Sequence, residues 1–195
     1  MLARSSVLLS LLLIAAIGCQ DAKAPAIDAA LLTAVRERVL LAEEPTTPAI
    51  LTPEELREQL TAGEEANAEA NSTVCVVGQI GGVPNPWKEA EPNFPWRQGE
   101  ATFFLVDPAA AAEFADHSKD DPDHAKTCPF CAGNAGDNAD SVAVVTLADD
   151  AGKSIALGAN ELLSLDQDAV VVVQGRAKLA GELLIVEADG LYVRE

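Results

Sequence analysis

Apolar residues recur every fourth position at Ile27, Leu31, Val35 and Val39, with Leu32 and Leu40 beside them. Charged and small residues fill the gaps. That spacing predicts an amphipathic helix to about Ala42. Glu43-Glu44-Pro45-Thr46-Thr47-Pro48 stops it. A second helix starts at Thr52-Pro53-Glu54-Glu55, where Thr52 suits the N-cap, Pro53 the first helical position and Glu55 a capping box. It is predicted to reach about Leu60. Residues 61–72 are small and polar and read as a linker. The pattern then changes. Val74–Ile80, Ala101–Val106, Val142–Leu147, Val170–Leu179 and Leu183–Ala188 are rich in β-branched and aromatic residues, and Leu191–Val193 is a short last piece. Gly78 marks a bend in the first strand. Ser154–Leu157 reads as a possible short strand, and Asn160–Leu165 as a short helix. Ala180-Gly181 makes a tight hairpin turn.

Val74–Val77, Phe103–Val106 and Val170–Val173 are apolar at consecutive positions, so both faces of those strands must be covered. A parallel sheet would need a crossover helix between successive strands, and only one such helix is visible. The remaining solution is a small curved barrel with part of its outer face covered by an N-terminal helix or by an insert. The chain is therefore mainly β, in the order β-β-β-α-β-β. That order, with Val76-Val77-Gly78-Gln79-Ile80, Val172-Val173-Gln174-Gly175-Arg176 and Leu183-Leu184-Ile185-Val186, resembles an OB-fold. The resemblance covers about residues 73–194 and implies an OB-fold-like domain at 73–195, preceded at 19–72 by a tether and helical extension.

Residues 1–18 combine a positive Arg4 with an apolar run from Val7 to Ile17, too short for a membrane span of about 20 residues. They read as an export signal. Ala16-Ile17-Gly18-Cys19 resembles a bacterial lipobox, which implies cleavage before Cys19 and its lipidation. The competing reading is an ordinary secretory signal with Cys19 incidental. By the same resemblance, Gln20 implies sorting to the outer membrane, facing the periplasm. The net charge of −18 over 195 residues opposes nucleic-acid and anionic-lipid surfaces. The expected membrane contact is therefore the lipid at Cys19.

The insert at 109–140 carries both histidines and two of the four cysteines. His117, His124, Cys128 and Cys131 fall in the spacing H-x6-H-x3-C-x2-C, and two imidazoles with two thiolates suit tetrahedral zinc. His117 is the least constrained ligand, and Asp120 or Asp123 is an alternative. Copper(I) is the second choice, but the single methionine is Met1, so a thioether site is excluded. The other reading is an acidic loop with a Cys128–Cys131 disulfide. With Cys19 lipidated, Cys75 is left over and reads as a buried thiol. The group this chain resembles more specifically is the OB-fold lipoproteins of the bacterial envelope whose His/Asp-rich insert ends in C-P-F-C. That resemblance implies fold and envelope location, and no activity.

Cys128-Pro129-Phe130-Cys131 also resembles the C-P-Y-C of glutaredoxins. A reactive first cysteine there needs a helix N-terminus after a strand. Here Asp, His and Lys precede it, and no proline follows Pro129 to play the facing role. No Ser/His/Asp triad can be assembled, because both histidines sit in the metal cluster. The expectations are thus a lipid-anchored binding or interaction module with a zinc site, a metal-handling or metal-sensing protein, or a thiol-disulfide oxidoreductase. Binding is favoured over catalysis. Trp87, Phe94 and Trp96, in the proline-rich stretch between the first two barrel strands, either form a partner or sugar site or cover the barrel.

Overall fold

The computed structural model describes residues 29–64, 72–118, 139–149 and 152–194. Helices α1 (Ala29–Val39) and α2 (Pro53–Glu64) come first, with a two-residue strand β1 (Ile50–Leu51) between them. Strands β2 (Thr73–Ile80) and β3 (Thr102–Val106) lead into helix α3 (Pro108–Ser118). Strand β4 (Val142–Leu147), helix α4 (Ala159–Leu163) and strands β5 (Val170–Ala180) and β6 (Leu183–Val193) complete the chain.

The sheet closes on itself. Its order is β1-β2-β3-β4-β6-β5, and β5 pairs back onto β2 from Thr73↔Arg176 to Gln79↔Val170. β4 and β6 run parallel, and the other ring pairings are antiparallel. This ring makes the molecule a small β-barrel-like protein, as the doubly apolar strands require. β2 lies beside β1 at Cys75 and Val76, then beside β3 at Gln79 and Ile80. Gly78 is the point of passage. A Cβ there would lie 2.5 Å from Leu105 Cγ and 2.7 Å from the Val106 carbonyl oxygen, so only glycine lets the two strands approach.

Alternation divides β3 and β4 between two apolar clusters. Phe103, Leu105, Val145, Val173 and Val186 point into the barrel. Leu162 and Leu163 of α4 join them, as do Val35 and Val39 of α1 and Leu56 of α2. The helices of the extension thus share the barrel core. Phe104, Val106, Val142 and Val144 point outward and are buried there against Val83 and Ala111.

Local chemistry explains the helix starts. The Thr52 amide donates to Glu55 Oε2 at 2.8 Å, and the Glu55 amide donates to Thr52 Oγ1 at 3.4 Å. That is the expected capping box. α2 runs four residues past Leu60, since Thr61-Ala62-Gly63 contains no proline to stop it, and Thr61 Oγ1 donates to the Arg57 carbonyl within the helix. Arginines dock α1 onto the barrel through main-chain carbonyls. Arg36 Nε donates to Leu162 O at 2.6 Å and Arg36 Nη2 to Glu161 O at 3.0 Å, meeting the carbonyl end of α4. Arg38 Nη2 donates to Ala148 O at 2.7 Å.

Besides α2 and the unforeseen β1, three stretches differ from the sequence expectation. Leu183–Ala188 and Leu191–Val193 are one strand, bulged against β5 at Gln174/Gly175. Ser154–Leu157 forms only a bridge from Ser154 to Ala148. The first part of the insert is helix α3.

Candidate functional site

The insert leaves the barrel through a tied neck. Asp107, nearly fully buried, ends β3 and starts α3. Its carboxylate accepts the Ala109 amide at 2.8 Å, and its carbonyl accepts the Ala111 amide at 3.0 Å. This is an N-cap followed by proline at the first helical position. The Asp107 amide donates to Ser141 O at 2.8 Å, so the outgoing and returning chain are joined one residue beyond the Val106↔Val142 pair.

α3 lies over the barrel's outer face through Ala111 and Phe114 and carries His117 in its last turn, exposed. His124, Cys128 and Cys131 lie outside the described residues, as does Cys19. Among the described residues, no three His, Cys, Asp or Glu side chains are grouped closely enough to hold a metal ion. Cys75 is fully buried on β2, and burial pushes its thiol pKa up, as expected of a structural thiol. No helix among the described residues is long and apolar enough to cross a membrane.

The aromatic residues of the β2–β3 connection cover the outer face. The rings of Trp87 and Phe94 each sit 5.2 Å from Phe104, tilted. Asn85 holds this turn: its Oδ1 accepts the Trp87 amide at 2.8 Å and its Nδ2 donates to Glu91 O at 2.6 Å. Trp96 bridges to Phe103, with the rings 6.1 Å apart, and borders a groove of about 600 Å³ with Leu157 and Asn160.

Beside this cover the same outer face is open and polar. Thr102 pairs with Thr146, Thr146 with Glu187, and Glu187 with Arg176, forming one row across β3, β4, β6 and β5. Paired residues share a face. The row floors a cleft of about 710 Å³ whose walls include Arg97, Glu100, Arg38 and Asp149. Lys178 Nζ lies 2.5 Å from Glu187 Oε1, and Arg176 Nη2 lies 3.5 Å from Oε2. The Lys178 bond, then the nearby positive charges, holds the Glu187 carboxyl below its ordinary range. Arg97 stands at the border of cover and cleft. It is bonded to Glu91, lies 3.7 Å from Glu100, and sits 5.8 Å from the Phe104 ring centre. Bonding to Glu91 raises its pKa further.

The cleft was not visible in the sequence. Its one local signal is the polar residue at every second position of Arg176-Ala177-Lys178.

The fold and its openings define a small β-barrel protein with a polar cleft on one face and a tied insert. No known family model matches this chain, and no curated protein does.

Proposed function

We propose that this protein is a lipid-anchored binding module of the bacterial envelope, built on an OB-fold, whose insert holds zinc through His117, His124, Cys128 and Cys131. The OB-fold reading is supported by the ring. Counting β2 as the first barrel strand, the order is first, second, third, fifth, fourth and back to the first. The third and fifth are parallel, and α4 lies between the third and fourth. That is the arrangement of a five-stranded Greek-key barrel, whose ligand face lies on its second and third strands. Here those strands are β3 and β4, which carry Thr102 and Thr146 into the cleft.

The metal reading is carried by one observation. The spacing H-x6-H-x3-C-x2-C begins at His117, on an exposed helix end, in a stretch of sequence whose two stems are hydrogen-bonded together at Asp107 and Ser141. Two imidazoles and two thiolates are the donor set a tetrahedral zinc ion prefers. Copper(I) is the alternative ion. A metal-handling role differs from a structural one by fast exchange of the ion. Export and lipidation at Cys19 place the module on a membrane, at the periplasmic face of the outer membrane by the Gln20 resemblance.

The deciding experiment is metal per chain by mass spectrometry, on protein purified without chelator, repeated with Cys128→Ser and His124→Ala. About one zinc in the wild type and loss in both variants is expected. A metal-free wild type with an oxidised Cys128–Cys131 pair would overturn the metal site. Labelled fatty acid entering the wild type and not Cys19→Ala tests the anchor.

A further inference from the structure

Arg97 stands where two hollows meet. On one side is the cleft of about 710 Å³ floored by Thr102 and Thr146, and on the other the groove of about 600 Å³ beside Trp96. Arg97 lines both, followed by Gln98 and Gly99 on the groove and Glu100 on the cleft. This rim is tied down. The Arg97 amide donates to Thr102 O at 3.1 Å, and the Thr102 amide donates to Glu100 O at 2.7 Å. The bonds from its guanidinium to Glu91 hold the Arg97 head at the crossing.

The cleft floor is a row of hydrogen-bonding groups. Arg176 only donates, Glu187 only accepts, and the hydroxyls of Thr146 and Thr102 do both. Thr102 is 1% exposed, and its side chain bonds to no group among the described residues. No buried side-chain polar atom there is sealed without a partner, so the Thr102 hydroxyl opens on the cleft. Among the described residues, three guanidinium and four carboxylate groups line the cleft, so its charge is nearly balanced. The groove offers a different surface. Trp96 is half-buried there beside the side-chain amides of Asn93, Gln98 and Asn160, each both donor and acceptor. Gly158 leaves the room that the Asn160 amide occupies, since a Cβ on Gly158 would lie 2.7 Å from its Oδ1.

A neutral chain of hydroxyl groups matches this set. Each hydroxyl donates and accepts, so successive ones can meet arginine, carboxylate, threonine and amide in turn. A sugar ring also has an apolar face of C–H groups, which suits the flat indole of Trp96. The net charge of −18 opposes a polyanion. A peptide that adds as a strand needs an open sheet edge, and the cleft row lies on strands already paired with one another. We propose that the cleft and the groove form one track for a neutral oligosaccharide, crossing the rim at Arg97. The proposal deepens the binding reading above and needs neither the metal nor the lipid anchor.

The test titrates cellohexaose, maltohexaose and hexa-N-acetylchitohexaose, each beside its monosaccharide, into the full chain by calorimetry. At least one hexasaccharide is expected to bind about a hundredfold more tightly than its monosaccharide, because the chain reaches both hollows. Added salt should leave that affinity unchanged, as it would not for a charged ligand. Thr146→Val in the cleft and Asn160→Ala in the groove are each expected to weaken it about three- to tenfold. Glu58→Ala, on α2 and outside both hollows, is expected to keep it. If either variant does not fold, Arg176→Gln replaces it in the cleft and Gln98→Ala in the groove. Failure of all three hexasaccharides to bind at millimolar concentration would overturn the proposal, as would wild-type affinity in both variants. Loss in only one variant would break the single track. A peptide library bound through the cleft and lost in Thr146→Val, with no sugar bound, would keep the binding reading and remove this one.

Discussion

Gly175 is where the closing hairpin changes register, and replacing it with alanine tests the barrel more sharply than any core truncation. β5 and β6 pair Gln174 with Gly190 but Gly175 with Ala188, so Asp189 is the extra residue of a bulge. A Cβ on Gly175 would lie 2.1 Å from the Glu187 carbonyl oxygen, 2.9 Å from its carbonyl carbon and 3.0 Å from Ala188 Cα. Comfortable contacts begin near roughly 3.5 Å. All three atoms are main chain of the paired strand, so no rotamer change relieves the overlap and the strands must part. Overpacking costs about 1–3 kcal/mol, and two lost ladder hydrogen bonds add about 1 kcal/mol each. The expected loss is about 3–5 kcal/mol, a fall in melting temperature of about 10 °C for a chain of this size. Gly181→Ala is the control. Its Cβ would meet nothing within 4 Å, but its φ of +62° costs an L-residue about 1–2 kcal/mol. Thermal melts by circular dichroism should rank Gly175→Ala well below Gly181→Ala. Equal losses in the two variants would refute the argument from close approach. The bulge also sets Arg176 opposite Glu187, so the cleft floor depends on it.

Thr52→Ala should cost about 1 kcal/mol by removing one half of the capping box, read as a lower urea midpoint at unchanged slope, with Thr52→Ser restoring most of it. Cys75 should resist alkylation in the native protein and react once denaturant is added; peptide mapping that finds Cys75 modified under native conditions would contradict its burial. Glu187 has a folded pKa below its ordinary 4.5, so its contribution is complete above that value and is lost as pH falls through the folded value. Glu187→Gln should therefore be less stable than wild type near neutrality and converge with it in acid, and a gap that widens in acid would reverse the sign. A fragment starting at residue 72 lacks Val35, Val39 and Leu56, each worth about 1.5–3 kcal/mol when buried. Their sum approaches the total stability of an ordinary domain, about 5–15 kcal/mol. Calorimetry should show a much lower or non-cooperative transition, and a melt at the wild-type temperature would count against a shared core.

What the sequence made legible was local. The capping box at Thr52, the extent of Val142–Leu147 and the Gly181 turn depend on residues within a few positions of one another, and the structure has all three. α3 was missed although its signal was present. Asp107-Pro108 is an N-cap with proline at the first helical position, but the alanines that follow lack an apolar stripe. β1 escaped because two residues carry no periodicity, and it exists only as a partner for Cys75 and Val76. Asp189-Gly190 reads as a break between strands because a bulge and a turn use the same residues. The cleft row draws on four strands, and only their register brings Thr102, Thr146, Glu187 and Arg176 into line. Arg57 of α2 donates to the main-chain carbonyls of Ala139, Asp140, Val142 and Glu182, and this docking left no trace in the sequence, since main-chain carbonyls have no side-chain signature. Of the proposed zinc ligands the structure places His117 alone, and the spacing of the others remains a sequence argument.

The doubly apolar strand Phe103–Val106 connects these observations. Phe103 and Leu105 fill the barrel, while Phe104 and Val106 need a cover outside. Trp87, Phe94 and α3 supply it, so the aromatics that resemble a binding loop are largely engaged with the protein itself. What they leave open is the polar end of the same two strands. The neck of the insert lies just beyond Val106↔Val142 and the cleft begins at Thr102↔Thr146. Four residue steps separate these pairs, roughly 13 Å at the usual rise. The two openings therefore sit at opposite ends of β3 and β4 with the aromatic cover between them. The cleft thus presents Arg97, Arg176 and Glu187 at the end of the strands away from the neck.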